Sequence, residues 1–191
     1  MNKPKKQAIP QQIRSNRLLL RPYQKRDAIE MFEYLQEPES YRYLEGPGTL
    51  LTQQQVEEIV SGHIAADTDN KYVWAMTLPN ELVGAITIKF QKEHRIAEIG
   101  YHVSKSVWGQ GYASEAGEAI VDRAFEAYPQ LQRIQAGIHP ENLGSIRVAE
   151  RIGMEHEGTL RRYAYIRGIA VDEAIYAVLR DTWRSSKVRL C

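Results

Sequence analysis

Val103-Ser-Lys-Ser-Val-Trp-Gly-Gln-Gly-Tyr-Ala-Ser-Glu-Ala116 is the stretch on which the reading of the fold depends. Leading into it, Arg95 to Val103 alternates, with Ala97, Ile99, Tyr101 and Val103 on one face and Glu98, Gly100 and His102 on the other, the period of a half-buried strand. Leading out of it, Ala113, Ala116, Ile120, Ala124 and Phe125 share one side of a helix from about Gly111 to Tyr128. Gly109 and Gly111 stand two apart in the turn between them. Such a turn lets a ligand approach the backbone and aims unpaired N–H groups outward. With the helix dipole behind them, they form an anion site suited to a pyrophosphate. Two glycines before a helix are equally compatible with a plain tight turn. Two other phosphate loops are excluded, because Gly-x-x-x-x-Gly-Lys-Ser/Thr does not occur and Ser114 stands where Gly-x-Gly-x-x-Gly needs its third glycine.

Outward from this centre, Leu131 to Ile138 reads as the next strand, which completes a βαβ unit with parallel pairing and a right-handed crossover. Asn142 to Ile152 reads as a helix, Met154 to Ile166 as extended, and Gly168 turns the chain into a last strand from about Asp172 to Arg180. Upstream, Tyr72–Leu78 and Leu82–Phe90 flank the turn Pro79-Asn80 as a hairpin. Thr52 and Gln55 form a capping box for a helix that faces Val56, Ile59, Val60 and Ile64 inward and ends at Asp67-Thr-Asp-Asn70. Glu37 to Gly48 is a loop, Asp27 the expected N-cap of a helix to about Leu35, and Arg17-Leu-Leu-Leu-Arg21 a first strand. Neither a repeat nor an interdomain linker interrupts this order, which predicts one α/β domain around a mixed sheet.

Composition narrows the function. A chain of 191 residues that is 43% hydrophobic and 26% charged can bury a core without staples. Lys and Arg number 25 against 24 Asp and Glu, so no global field holds nucleic acid or an anionic membrane. The only cysteine, Cys191, excludes a disulfide framework and a multi-cysteine metal site. No apolar run is long enough to span a membrane, and the basic N-terminus lacks the apolar stretch of a secretory signal. A cytoplasmic enzyme or binding domain is the expectation, with residues 1–12 a flexible basic tail, 13–184 the domain and 185–191 a C-terminal tail.

Trp108-Gly-Gln-Gly-Tyr-Ala113 resembles the acetyl-CoA loop of the GNAT N-acetyltransferases, whose pattern is Gln/Arg-x-x-Gly-x-Gly/Ala. Trp108 takes the Gln/Arg position, a departure typical of the ribosomal-protein-alanine N-terminal acetyltransferase branch. Asn16-Arg-Leu-Leu-Leu-Arg-Pro22, Ala97-Glu-Ile-Gly-Tyr101, Asn142-x-x-Ser145-x-Arg147-x-x-Glu150-x-x-Gly153 and Glu157-Gly-Thr-Leu160 agree with that branch, and the likeness runs from about residue 14 to 184. It implies a GNAT-like α+β domain: a mixed, mostly antiparallel sheet of about seven strands, four helices and a central splayed strand pair. It also implies acetyl-CoA as cosubstrate, no metal, and backbone amides of Trp108, Gly109, Gln110, Gly111, Tyr112 and Ala113 on the pyrophosphate. The strand through Tyr101 and Val103 would pair with pantetheine, and a bulge near Gly100 would point an N–H at the thioester oxygen.

Transfer to an amine requires an anchored cofactor, a neutral nucleophile and a stabilised oxyanion and thiolate. Asn142 either contacts the cofactor or caps its helix, and Ser145, one turn on, either donates to the leaving sulfur or packs with Val148, Ala149 and Ile152. Glu98 is the base candidate, working through water, with a surface carboxylate as the alternative. An α-amine needs little help, its reference pKa being about 7.7–8.0 against about 10.4 for lysine. Tyr41 and Tyr43 in the early loop, and Arg161 and Tyr163 in the late hairpin, are candidate walls of the acceptor groove. The hairpin segment Leu160 to Ile169 holds Arg161, Arg162 and Arg167 and no acid, which favours a peptide over a polycation. His102 and His139 read as polar surface, not metal ligands. The expected partners are acetyl-CoA and an amine, a protein N-terminus foremost, with neither nucleic acid nor membrane, in a monomer or homodimer. A small-amine transferase (polyamine or aminoglycoside) and a non-catalytic acyl-CoA-binding module are the alternatives.

Overall fold

The computed structural model describes residues 8–44, 50–66, 70–91 and 93–183. Its strands are β1 (Ile13–Arg14), β2 (Leu19–Arg21), β3 (Lys71–Leu78), β4 (Glu81–Gln91), β5 (Ile96–Val103), β6 (Arg133–Ile138), β7 (Glu155–Ile166) and β8 (Ile169–Leu179). They form one sheet in the order β1-β2-β3-β4-β5-β6-β8-β7. Only β5 and β6 pair in parallel, so the mixed, mostly antiparallel sheet forms as predicted, with eight strands in place of about seven. The extra one is the short β1, and the strand expected over Arg17–Arg21 begins at Leu19. The helices are α1 (Asp27–Leu35), α2 (Gln53–Ile64), α3 (Tyr112–Ala127) and α4 (Leu143–Arg151), with 3-10 turns at Pro38–Tyr41 and Lys105–Val107.

The predicted alternation decides the layers. Ala97 and Ile99 turn to the face covered by α3 and α4, where Trp74, Ile86, Ile120, Phe125 and Ile134 are almost wholly enclosed. Ala75 and Ala85 turn to the other face, where they meet Val56 and Val60 of α2 and Met31 and Leu35 of α1. Ile9 is 1% exposed and belongs to the first of these clusters, its neighbours Ala8, Pro10, Gln11 and Gln12 are exposed, and residues 1–7 and 184–191 lie outside the described residues.

Helix ends follow local chemistry with one exception. The capping box at Thr52 forms, the hydroxyl accepting from the Gln55 N–H at 3.3 Å and Gln55 Oε1 accepting from the Thr52 N–H at 2.8 Å. Ile64, expected inward, is 46% exposed in the last turn, and the end expected at Asp67-Thr-Asp-Asn70 falls mostly outside the described residues. Asp27 does not cap α1. It lies inside the first turn, fully buried, with Arg21 donating to both carboxylate oxygens at 2.7 and 2.8 Å and the Gln24 N–H donating to one at 2.7 Å. The carboxylate oxygens are thus engaged by the Arg21 guanidinium and the Gln24 N–H rather than by the N–H groups of the first turn that a cap would satisfy.

Arg180 is a buried cation, 6% exposed. Its Nε donates to the Leu131 carbonyl at 2.6 Å, and Nη2 donates to Tyr128 at 2.6 Å and Phe125 at 3.0 Å. One guanidinium thus closes the C-terminal end of α3 and fixes the entry of β6.

The sheet opens in the middle. β5 and β6 pair only from Ile96↔Arg133 to Glu98↔Gln135, although β5 runs on to Val103 and β6 to Ile138. The splayed pair is where it was expected. The bulge near Gly100 is absent, because β4 and β5 keep one register from Gly84↔Val103 to Gln91↔Ile96. The irregularities lie elsewhere, in the β3–β4 pair between Met76 and Thr77 and in β7 between His156 and Gly158 and between Leu160 and Ala164.

Candidate active site

The glycine turn has the conformation the sequence demands. Gly109 and Gly111 both have positive φ, +76° and +81°, and Gly111 is the N-cap of α3. Trp108 braces the loop by donating its indole N–H to the Val103 carbonyl at 3.0 Å. The N–H groups of Trp108 and Gln110 are used within the turn, on Lys105 and Val107. That leaves Gly109, Gly111, Tyr112 and Ala113 as the amides suited to phosphate, since a helix's first turn has no carbonyl one turn back.

Two cations missed in the sequence reading flank this turn. A Cβ on Gly111 would lie 3.5 Å from Arg151 Nη1 and 3.6 Å from Arg17 Nη2. Arg17 is held there by its ion pair with Glu115 at 2.7 Å, by donation to the Gln110 carbonyl at 2.9 Å and by the Tyr112 ring at 4.3 Å. The Ser15 hydroxyl and the Arg17 N–H also bond Glu115, and together these contacts hold its carboxyl below the usual range against the opposing effect of burial. Helix N-terminus, glycine backbone and two guanidiniums converge, so the chemistry of the loop fits a diphosphate.

Across the splay, Tyr101 donates its hydroxyl to the Ser145 carbonyl at 2.8 Å, tying β5 to α4. Burial raises the Tyr101 pKa, so the phenol stays protonated. Asn142 performs the capping role: its Oδ1 accepts from the Ser145 N–H at 3.1 Å. Its amide nitrogen is then the group available to a cofactor. Ser145 is half-buried beside Tyr101, whereas only Ala149 and Ile152 of the stripe expected around it are buried.

On the opposite face two adjoining cavities of about 220 and 520 Å³ share Glu98, Gly137, Ala164, Tyr165 and Glu173. The smaller reaches Tyr43, His139 and Asp172, and the larger reaches Gln135, Leu160 and Tyr163. Of the residues considered for the acceptor groove and the base, Glu98 borders both cavities, Tyr43 the smaller and Tyr163 the larger, and the Tyr41 side chain lies outside what is described. Tyr43 is held by its ring against His139 at 5.1 Å and by donation to the Glu141 carbonyl at 3.3 Å. Arg161 is exposed and lines neither cavity. The charge expected of this groove is thus reversed. The acids Asp172 and Glu173 enter it from β8, and Asp172 also accepts the Arg162 N–H at 2.9 Å in a bulge where Arg162 has φ +52°.

His102 is not polar surface. Its Nε2 shares a 2.8 Å hydrogen bond with the buried Tyr34 hydroxyl, and the ring of His63 packs on Tyr23 nearby at 5.0 Å. Burial pushes both histidines down to about 4 from an ordinary value near 6.5, His63 helped by Lys71 and His102 by His63. Both are neutral in the fold, so as pH falls through 6.5 the unfolded chain takes up protons that the fold refuses until about 4. Stability should fall between those values. The expected result is a lower urea midpoint at pH 5.5 than at pH 7, with a smaller drop in His63→Gln, and equal midpoints would contradict it. Among the described residues no group of His, Cys, Asp and Glu could hold a metal, and no helix is long and apolar enough to cross a membrane.

Residues 17–155 match the family model of the acetyltransferase (GNAT) domain. The chain is 31% identical over 172 residues to the uncharacterized N-acetyltransferase YnaD of Bacillus subtilis (strain 168), covering 90% of this chain and 98% of that one. It is 30% identical over 104 residues to the ribosomal-protein-serine acetyltransferase of Escherichia coli (strain K12), covering 54% of this chain and 58% of that one. The solved structure of Mycobacterium smegmatis RimJ in complex with CoA-disulfide is similar to it with a TM-score of 0.74 and 28% identity, covering 90% and 88% of the two chains.

Proposed function

Since the chain belongs to the acetyltransferase (GNAT) domain family and is an acetyl-CoA-dependent N-acetyltransferase, we propose that its acceptor is a protein N-terminal α-amine. The observation that carries this reading is the trough itself. It opens beside the splay on the Glu98 face and extends from Tyr43 and His139 to Leu160 and Tyr163, room for the first residues of an extended chain. The name of the Escherichia coli relative points the same way.

In this reading the amides of Gly109, Gly111, Tyr112 and Ala113, with Arg17 and Arg151, anchor the diphosphate. β5 from Tyr101 to Val103 and the Asn142 amide position the pantetheine arm. Glu98, through water, takes the ammonium proton. The neutral amine attacks the thioester carbon, the C–N bond forms and the C–S bond breaks, the surplus proton on the nitrogen passes through water to the departing thiolate, and the Ser145 hydroxyl donates a hydrogen bond to that sulfur. An α-amine makes the weak demand on Glu98 that an exposed carboxylate can meet.

A second reading, a small polycationic amine, is favoured by Glu98, Asp172 and Glu173 around one trough. Thiol release from acetyl-CoA separates the two. An alanyl peptide should react faster than spermidine at equal concentration, and the opposite order would replace the first reading by the second.

A further inference from the structure

Glu173 occupies a position that no local reading of the sequence reveals. It stands on β8 opposite Leu160, two residues before Ile175, whose partner on β6 is Gly137. Gly137 in turn lies two residues beyond Gln135, the last β6 residue paired with β5, and so sits in the splayed part of the sheet. A Cβ on Gly137 would lie 2.8 Å from Glu173 Oε2 and closer still to Cδ and Oε1. The carboxylate therefore fills the space that any other residue at 137 would use. Both cavities are bordered by this pair and by Glu98, which shares their face of the sheet through its pairing with Gln135. Tyr165 borders both cavities and Tyr43 the smaller.

We propose that the Glu173 carboxylate, seated over Gly137 where β5 and β6 part, binds the ammonium form of the acceptor amine. Amines of either class are largely protonated near neutral pH and enter the trough as cations. A carboxylate at its floor supplies a charge-assisted hydrogen bond, and the tyrosine rings add favourable faces for the same charge. Glu173 fixes the nitrogen on the side of the sheet from which the splay is open, and Glu98 remains the group that receives the proton. The inference rests on the trough being the acceptor site and is independent of whether the ammonium belongs to a peptide or a polyamine.

The test is calorimetric titration of an alanyl peptide amide and of spermidine into enzyme saturated with CoA, which cannot transfer. Glu173→Gln should weaken binding of the preferred amine about tenfold, the scale of one lost charge-assisted contact, with CoA affinity unchanged. Gly137→Ala should do the same by displacing the carboxylate. In a Glu173→Ala background, where the space is empty, Gly137→Ala should have no further effect. Binding through Glu173 of spermidine but not of the peptide would uphold the inference and remove the N-terminal reading. The proposal is overturned if Glu173→Gln binds both amines as tightly as the unmutated enzyme, if the unmutated enzyme binds neither, or if Gly137→Ala weakens binding equally with and without the carboxylate.

Discussion

Gly111→Val is expected to lower acetyl-CoA affinity about 100-fold in a protein that still folds. Gly111 has φ +81° at the start of α3, a conformation that costs a β-branched residue roughly 1–2 kcal/mol. A domain of this size tolerates that cost. The cofactor does not, because the valine side chain would stand between the diphosphate and the amides of Gly111 and Tyr112, and against the Arg17 and Arg151 guanidiniums that flank the turn. Losing two charge-assisted hydrogen bonds at about 1.5 kcal/mol each gives about 3 kcal/mol, or roughly two decades in affinity. Calorimetry on the folded variant measures this, and an unchanged dissociation constant would place the diphosphate elsewhere.

Arg180→Leu should be the most destabilising of the single changes considered. Leucine fills part of the volume and leaves the carbonyls of Phe125, Tyr128 and Leu131 without this donor in a region closed to water. It also removes the guanidinium from the face of Phe125, 4.9 Å away, and from the negative end of the α3 dipole. Depriving buried carbonyls of their donor costs about 1–3 kcal/mol each, so the three together cost about 3 kcal/mol or more, which for a chain of this length lowers Tm by roughly 10 °C. A thermal scan showing a shift within a degree or two would mean that water or a neighbouring donor replaces Arg180.

How much could be read in advance follows from the range of each interaction. The strand, turn and helix of the βαβ centre each carry their own local pattern, the capping box at Thr52 and the cap at Asn142 are built within a few residues, and the structure has each of them. Asp27 was misread because its partner, Arg21, lies on a neighbouring strand end, and a local pattern of an acid before a helix cannot reveal that the acid is buried with a cation. Arg17 passes in sequence for the end of an apolar strand, yet Glu115 and Gln110 hold it at the glycine turn. The acidity of the trough depends on the register of β6 against β8, which brings Glu173 over Gly137, and on the bulge that Asp172 pins in β7. The hairpin read by itself is basic. Its arginines line neither cavity, and the partner strand supplies Asp172 and Glu173.

The most direct test of the central claim is to identify the nitrogen that is acetylated. A peptide carrying a free α-amine and an internal lysine is incubated with enzyme and acetyl-CoA, and the product is fragmented in a mass spectrometer. The account predicts one added acetyl group, on the α-nitrogen, with the lysine side chain unmodified. Acetylation of the lysine in preference, or no acetyl peptide under conditions where spermidine is consumed, would contradict it.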